Sequence, residues 1–220
     1  MIGTVTSGLP EIADRLAAVF RVVAPVEDGA IEALAIHATR RVFASGDRLL
    51  EGGQHAERSF LITQGLVREF YLGEDGAEHT RSFLAEGQLT GSLLDLLSGQ
   101  PSITWIEALE RTETIAWPYG ALDALAVRFP SLHVLARRHA EALYLKKTRR
   151  EYEMLALSAS DRHALWTQRH ADLDARVSRR HLASYLGITP EHLSRLRRAQ
   201  AADPPRRTPG RRGSARPRSR

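Results

Sequence analysis

The residues best equipped for chemistry lie near the C-terminal end, in Val177-Ser178-Arg179-Arg180-His181-Leu182-Ala183-Ser184-Tyr185-Leu186-Gly187-Ile188-Thr189-Pro190-Glu191-His192-Leu193-Ser194-Arg195-Leu196-Arg197-Arg198. The stretch parses as helix, tight turn, helix. Ser178 is the expected N-cap of the first helix, and Leu182, Ala183 and Leu186 form its inward face. Gly187 allows a left-handed turn at low steric cost, and Ile188 plugs the corner. Thr189 caps the second helix, with Pro190 where a missing N–H costs nothing. If Leu193 and Leu196 face inward, then Glu191, His192, Ser194, Arg195, Arg197 and Arg198 face outward. Such a face suits the major groove of double-stranded DNA, because Arg can grip guanine O6 and N7 while Glu accepts from cytosine N4. Arg195 and Glu191 are the expected base readers. Ser178, Arg179, His192, Arg197 and Arg198 are expected to hold phosphates and set register, with Thr189 and Ser194 completing the candidate set. The competing reading is a plain helix pair with a solvated charged face, which arginines on both helices argue against.

The charge distribution sharpens this. The 220 residues carry a net charge of +5, but residues 1–120 hold 9 basic and 17 acidic side chains while residues 121–220 hold 22 and 9. The last 22 residues alone carry seven Arg against one Asp, so the high isoelectric point belongs largely to the tail. The absence of cysteine excludes disulfides, thiolate zinc sites, cysteine nucleophiles and cysteine-held iron–sulfur clusters in this chain. No apolar stretch approaches the ~20 residues a bilayer span needs and no leader pattern opens the chain, so the expectation is a soluble, cytoplasmic protein without membrane contact.

The elements that must position these residues follow from periodicity. Leu9 to Val26 has helical spacing, and a second helix follows, capped by Asp28 and ending near Thr39. From Arg40 to Trp117, short β-branched and aromatic runs alternate with Gly-containing turns, which reads as a barrel or jelly roll. Expected strands are Ser59–Gln64, Leu66–Leu72, Glu78–Leu84, Ile103–Ala108 and Glu113–Trp117. Tyr119–Arg128 is a short helix stopped before Pro130. Ser131 then caps a run without Gly or Pro to about Leu157, and some 25 helical residues would extend about 40 Å. Its seam of Leu132, Leu135, His139, Ala142 or Leu143, Met154 and Leu155 is expected to connect domains and meet a second copy of the chain. The alternative is an ordinary amphipathic helix on its own barrel. The residues from 160 to 198 are marginal for an independent core and must pack on their neighbours. The fold class is therefore α+β: N-terminal helices and a β jelly-roll barrel (1–130), a long dimerisation helix (131–157), a helix-turn-helix domain (158–198) and a disordered Arg/Pro-rich tail (199–220).

This order of parts resembles the Crp/Fnr superfamily of bacterial transcription regulators over about residues 27–198. The matching pieces are Phe43-Ala44-Ser45-Gly46-Asp47 with Glu51-Gly52, Phe60 to Arg68, Asp75-Gly76 with Phe83, Ile106 to Glu110, and Tyr185 to Arg195. The last is the most specific. The resemblance implies a cyclic-nucleotide-binding-like barrel, a homodimer through the 131–157 helix, and base contacts from the positions of Glu191 and Arg195. Pro190 stands where many members have an Arg, which removes one base contact. In the family, a Gly-Glu pair and, some ten residues on, an Arg-Ser pair hold a cyclic nucleotide. Ser92 stands at the Glu and Pro101 at the Arg, which argues against tight cyclic AMP binding. Gly91, Ser92 and Ser102 remain candidates to line a pocket for an unidentified small-molecule effector, or belong to a helix and turn that merely pack.

No cofactor is expected, although any of nine His could serve a haem as axial ligand. A cupin-like metal enzyme would need several barrel histidines, and His55 and His79 are the only two; no hydrolase elbow, zinc-protease helix or phosphate loop occurs either. The expectation is a non-enzymatic transcription regulator, with a cyclic-nucleotide-responsive one as the alternative. The tail is expected to add non-specific attraction for phosphate, or to be an unselected extension.

Overall fold

The computed structural model describes residues 3–5 and 8–202. The first two helices are α1 (Leu9–Val23) and α2 (Asp28–Ile36), and α1 stops short of the expected Val26. The reason is local: Ala24 precedes Pro25 and is extended, with φ −151° and ψ 153°. Asp28, expected to be a cap, is the first helical residue, and Glu27 is the N-cap.

Among the described residues, nine strands follow in order as β1 (Gly3–Val5), β2 (Thr39–Phe43), β3 (Arg48–Leu50), β4 (Arg58–Gln64), β5 (Val67–Leu72), β6 (Glu78–Leu84), β7 (Leu89–Thr90), β8 (Trp105–Ala108) and β9 (Thr112–Pro118). They form two antiparallel sheets, ordered β1-β2-β9-β4-β7 and β3-β8-β5-β6. Side chains alternate across each sheet. Phe43, Phe60, Ile62, Val67, Leu84, Ile106 and Ala116 fill the space between the sheets. Leu61, Ile115 and Trp117 turn the other way and meet α1, α2, α4 (Tyr119–Ala126) and the start of α5 (Ser131–Ala156). Trp117 packs edge-on against Phe20 of α1, with centroids 5.9 Å apart.

Of the expected seam on α5, Leu132 and Leu135 are buried in this intramolecular helical layer. Farther along, Tyr144, Leu145, Tyr152 and Leu155 are exposed. The start of the expected seam is thus covered by α1 and α4, while its far end, Met154 and Leu155, stays exposed.

The C-terminal part comprises α6 (Ala159–Arg169), α7 (Arg179–Leu186) and α8 (Pro190–Ala202), with the short α3 (Leu93–Ser98) in the barrel between β7 and β8. Helix α8 continues four residues past the expected end at Arg198. Residues 203–220, the rest of the expected disordered tail, lie outside the described residues. No helix among the described residues is long and apolar enough to cross a membrane.

Candidate nucleic-acid interface

The turn between α7 and α8 forms as its residues dictate. Ser178 Oγ accepts from His181 N (3.1 Å), and Thr189 Oγ1 accepts from His192 N (3.2 Å), so each hydroxyl satisfies an otherwise orphaned helix-start amide. Gly187 has φ +66°, and a Cβ there would come within 2.7 Å of the Met154 side chain. Leu182, Ala183, Leu186 and Leu193 are buried together with Trp166, Leu173 and Val177.

The outward residues divide into two groups. Arg179, Arg195 and Arg198 are exposed and make no hydrogen bond or ion pair among the described residues. Glu191 is exposed too. Hydrogen bonds from its own backbone N–H and from Thr189 hold its carboxyl below the usual range, so it stays an ionised acceptor at neutral pH. Arg197 is different. It donates to Asp174 Oδ1 (2.8 Å), which also accepts from Trp166 Nε1 (3.0 Å), so it ties α8 to the loop before α7. Ser194 donates back to the Pro190 carbonyl (3.0 Å), and His192 is half-buried. The exposed set thus narrows to Arg195, Arg198 and Arg179, without a hydrogen bond or ion pair among the described residues, and Glu191, held by Thr189 and by the helix start, flanked by the caps Ser178 and Thr189.

Sequence reasoning missed what anchors this unit to the barrel. Ser184 of α7 accepts from Thr80 N (2.9 Å) and donates to the Glu78 carbonyl (2.6 Å) on β6. Arg176 bridges Glu86 (2.9 Å) and Glu110 (2.6 Å), two carboxylates of barrel loops, which raise its pKa further. Phe83 of β6 joins the helical core, 5.4 Å from Trp166 and 5.5 Å from Tyr185. Arg150 of α5 stacks over Tyr185 at 3.9 Å and donates to its carbonyl, while Arg169 of α6 pairs with the buried Glu153. Helices α7 and α8 therefore sit on a platform built by β6, α5 and α6. The charged residues of this platform are far apart in sequence, and only Arg176, directly before the capped helix, stood near the motif.

Comparison with known proteins agrees with this architecture. Residues 40–129 match the cyclic nucleotide-binding domain family. The fumarate and nitrate reduction regulatory protein of Vibrio cholerae is 24% identical over 168 residues, covering 71% of this chain and 66% of that protein. Two solved structures share the fold: FixK2 from Bradyrhizobium japonicum, with TM-score 0.65, 21% identity and coverage of 75% and 85%, and the c-di-GMP responsive global regulator CLP from Xanthomonas campestris, with TM-score 0.66, 19% identity and coverage of 80% and 93%. Residues 40–129 carry a cyclic nucleotide-binding domain, and the chain shares its fold with these regulators. It spans just under two thirds of the length of the Vibrio cholerae relative.

Within this cyclic nucleotide-binding-like barrel, Ser92 and Ser102 are closed into a buried network, while Gly91 borders a cavity. Ser92 and Ser102 each donate to Asp95 Oδ2 (2.5 Å), and Thr104 Oγ1 lies 3.0 Å from Ser92 Oγ. Asp95 is 3% exposed, Ser92 5% and Ser102 3%. Ser92 is the one non-glycine with positive φ among the described residues, at +45°, a strain of roughly 1 kcal/mol or more that this network holds in place. Gly91 is needed for close packing, since a Cβ would lie 2.6 Å from the Arg58 carbonyl. The spacing Ser92-x-x-Asp95 carried the signal for the bond, but not for its burial.

On the side of β5 and β6 that faces α5, Glu69 accepts from Thr90 (2.7 Å) and pairs with Arg81 (3.5 Å), and Lys146 of α5 donates to Ser82 (2.9 Å). This surface, too, is occupied by the chain's own charges. The two barrel histidines, His55 and His79, are exposed, and among the described residues no group of three or more His, Cys, Asp or Glu is placed to hold a metal ion.

Proposed function

We propose that the chain is a homodimeric, sequence-specific DNA-binding transcription regulator. The observation that carries this reading is the outward edge of α8, where the ionised Glu191 and the unpaired Arg195 lie one turn apart at the helix start. An acceptor and a planar donor fork at this spacing suit cytosine N4 and guanine O6/N7. Arg179, Arg198 and Ser178 flank them and reach for phosphates, with His192, Thr189 and Ser194 shaping the helix start. Arg197 acts mainly inside the protein, through Asp174.

Dimerisation through α5 is supported by Leu145, Thr148, Tyr152 and Leu155, exposed residues that follow the three-four spacing of a coiled-coil seam. Two copies related by a two-fold axis would set their α8 helices in successive major grooves, about one DNA turn apart. The barrel senses a signal carried by a small molecule, and its contacts with α7 transmit it to the DNA-reading face. The function needs no catalytic residue, and DNA places it in the cytoplasm.

Selection of binding sites from random duplexes tests the reading. The expected product is a roughly palindromic site, with Arg195→Ala relaxing one position in each half. A uniform loss across all sequences would make Arg195 a phosphate contact instead.

The match of residues 40–129 to the cyclic nucleotide-binding domain family favours a second reading, a cyclic-nucleotide-responsive regulator. The Asp95 carboxylate between Ser92 and Ser102 speaks against it, because a phosphate would meet a buried negative charge there. A thermal shift with cyclic AMP would restore that reading.

A further inference from the structure

A cavity of about 140 Å³ opens in the barrel beside Gly91, touching none of Ser92, Asp95 and Ser102, and three arginines line it: Arg41, Arg48 and Arg58. Arg48 lies 3.0 Å from Glu107, a carboxylate that it shares with Arg68. Arg41 and Arg58 are half-buried, and neither makes a hydrogen bond or an ion pair with any described residue. Strand alternation explains how both come to be there. Arg41 lies two residues before Phe43 on β2, and Arg58 two residues before Phe60 on β4, so each shares the face of a Phe that points into the barrel. The two rings meet edge-on at 6.3 Å and form an apolar floor beneath two guanidinium groups. Glu57 and His55 stand exposed at the rim without an ion pair to either arginine.

Two like charges gathered over an apolar floor with no ion-paired carboxylate are unfavourable, since burial removes solvation and each repels the other. Both effects lower the Arg41 pKa, burial first and the Arg58 charge second. An oxyanion between them would remove both penalties and could accept from two planar donor forks.

We propose that this cavity is a binding site for a small organic oxyanion, its phosphate or carboxylate head held between Arg41 and Arg58 and its apolar body resting on Phe43 and Phe60. It would be the port through which an effector enters the barrel. The inference concerns the barrel alone, so the test contains no DNA, and its outcome is separate from that of the α8 reading.

Calorimetric titration of the full chain with inorganic phosphate and with phenyl phosphate, at ionic strength matched by chloride, provides the test. Saturable binding is expected, tighter for phenyl phosphate, weakened at least tenfold in Arg58→Gln and unchanged in Arg111→Gln, which removes an exposed arginine paired with Glu113 outside the cavity. Arg41→Gln serves as the second variant should Arg58→Gln fail to fold. Tighter binding of inorganic phosphate would assign the site to the free ion and overturn the organic part of the proposal. Absence of saturable binding, or binding unaffected by both cavity substitutions, would overturn it altogether.

Discussion

The segment from Gly91 to Thr104 and the start of α8 are both rich in hydroxyls and charge, and they use them in opposite ways. In the barrel segment, Ser92, Ser102 and Thr104 direct their hydroxyls inward to one another and to Asp95, and water is excluded from all four. In α8, two hydroxyls are taken up by local backbone, Thr189 as a cap and Ser194 on the preceding turn, while Glu191 and Arg195 remain in solvent with their ionic groups available. A polar side chain whose hydrogen bonds are complete within its own domain fixes backbone. One left hydrated and unpaired on a rigid element can recognise something else.

The largest expected effect tests the closed half of this contrast. Asp95→Ala leaves two buried hydroxyls without their shared acceptor and a left-handed serine without support, at a cost of about 2–4 kcal/mol in chemical denaturation. Asp95→Asn keeps an acceptor and should cost clearly less. Should Asp95→Ala instead melt like the parent protein and bind cyclic AMP, the segment would be a ligand site blocked by its own carboxylate.

The open half predicts the reverse pattern. Arg195→Ala should leave thermal stability unchanged and weaken the preferred DNA site by about 1–3 kcal/mol, read by fluorescence anisotropy against a scrambled duplex. Arg197→Ala should lower stability by breaking the Asp174 link, with a smaller loss of base preference.

A smaller effect lies at the junction of the two regions. Arg176→Ala removes both ion pairs to the barrel, which are partly exposed and therefore worth only about 1 kcal/mol together. The expected readout is faster proteolysis in the loop between α6 and α7, with the barrel core unaffected; equal digestion of the two proteins would assign the anchoring to Phe83 and Ser184 instead.

The mildest prediction concerns acid. His181 of α7 is kept below its usual pKa, mainly by burial and then by the charge of Arg68, with Glu107 and Glu78 opposing and Arg180 adding to the shift. In the folded state it therefore takes a proton later than in the unfolded chain. Its contribution is complete above about pH 6.5 and is lost as pH falls through the lowered folded value. His170, also lowered chiefly by burial, acts in the same direction. Melting temperature should fall between pH 7 and pH 5, and His181→Gln should flatten that fall; an unchanged slope would place the titration elsewhere.

Much of this was legible because it is local. The caps Ser178 and Thr189, the left-handed Gly187, the Pro190 helix start and the Glu78–Leu84 strand depend on residues within a turn or two of themselves. Strands β2 and β3 were not foreseen, being short and defined mainly by their pairing with β9 and β8, residues more than fifty positions away. The use of each outward residue of α8 was likewise hidden. Arg195 and Arg197 are chemically identical and two places apart, and only the approach of Asp174 separates a free cation from a bonded one.

The order of parts, the period of each element and the helix-turn-helix were fixed by residue type and spacing, because steric preference and hydrophobic period act over short distances along the chain. Which charges are neutralised was decided only in three dimensions. The pairing of Arg176 with Glu86 and Glu110, the sealing of Asp95 between two serines, and the meeting of Arg41 with Arg58 over two phenylalanines all depend on how strands and helices from separate parts of the chain come together. Electrostatic energy follows distance through space and local solvation, and neither is written in the order of residues.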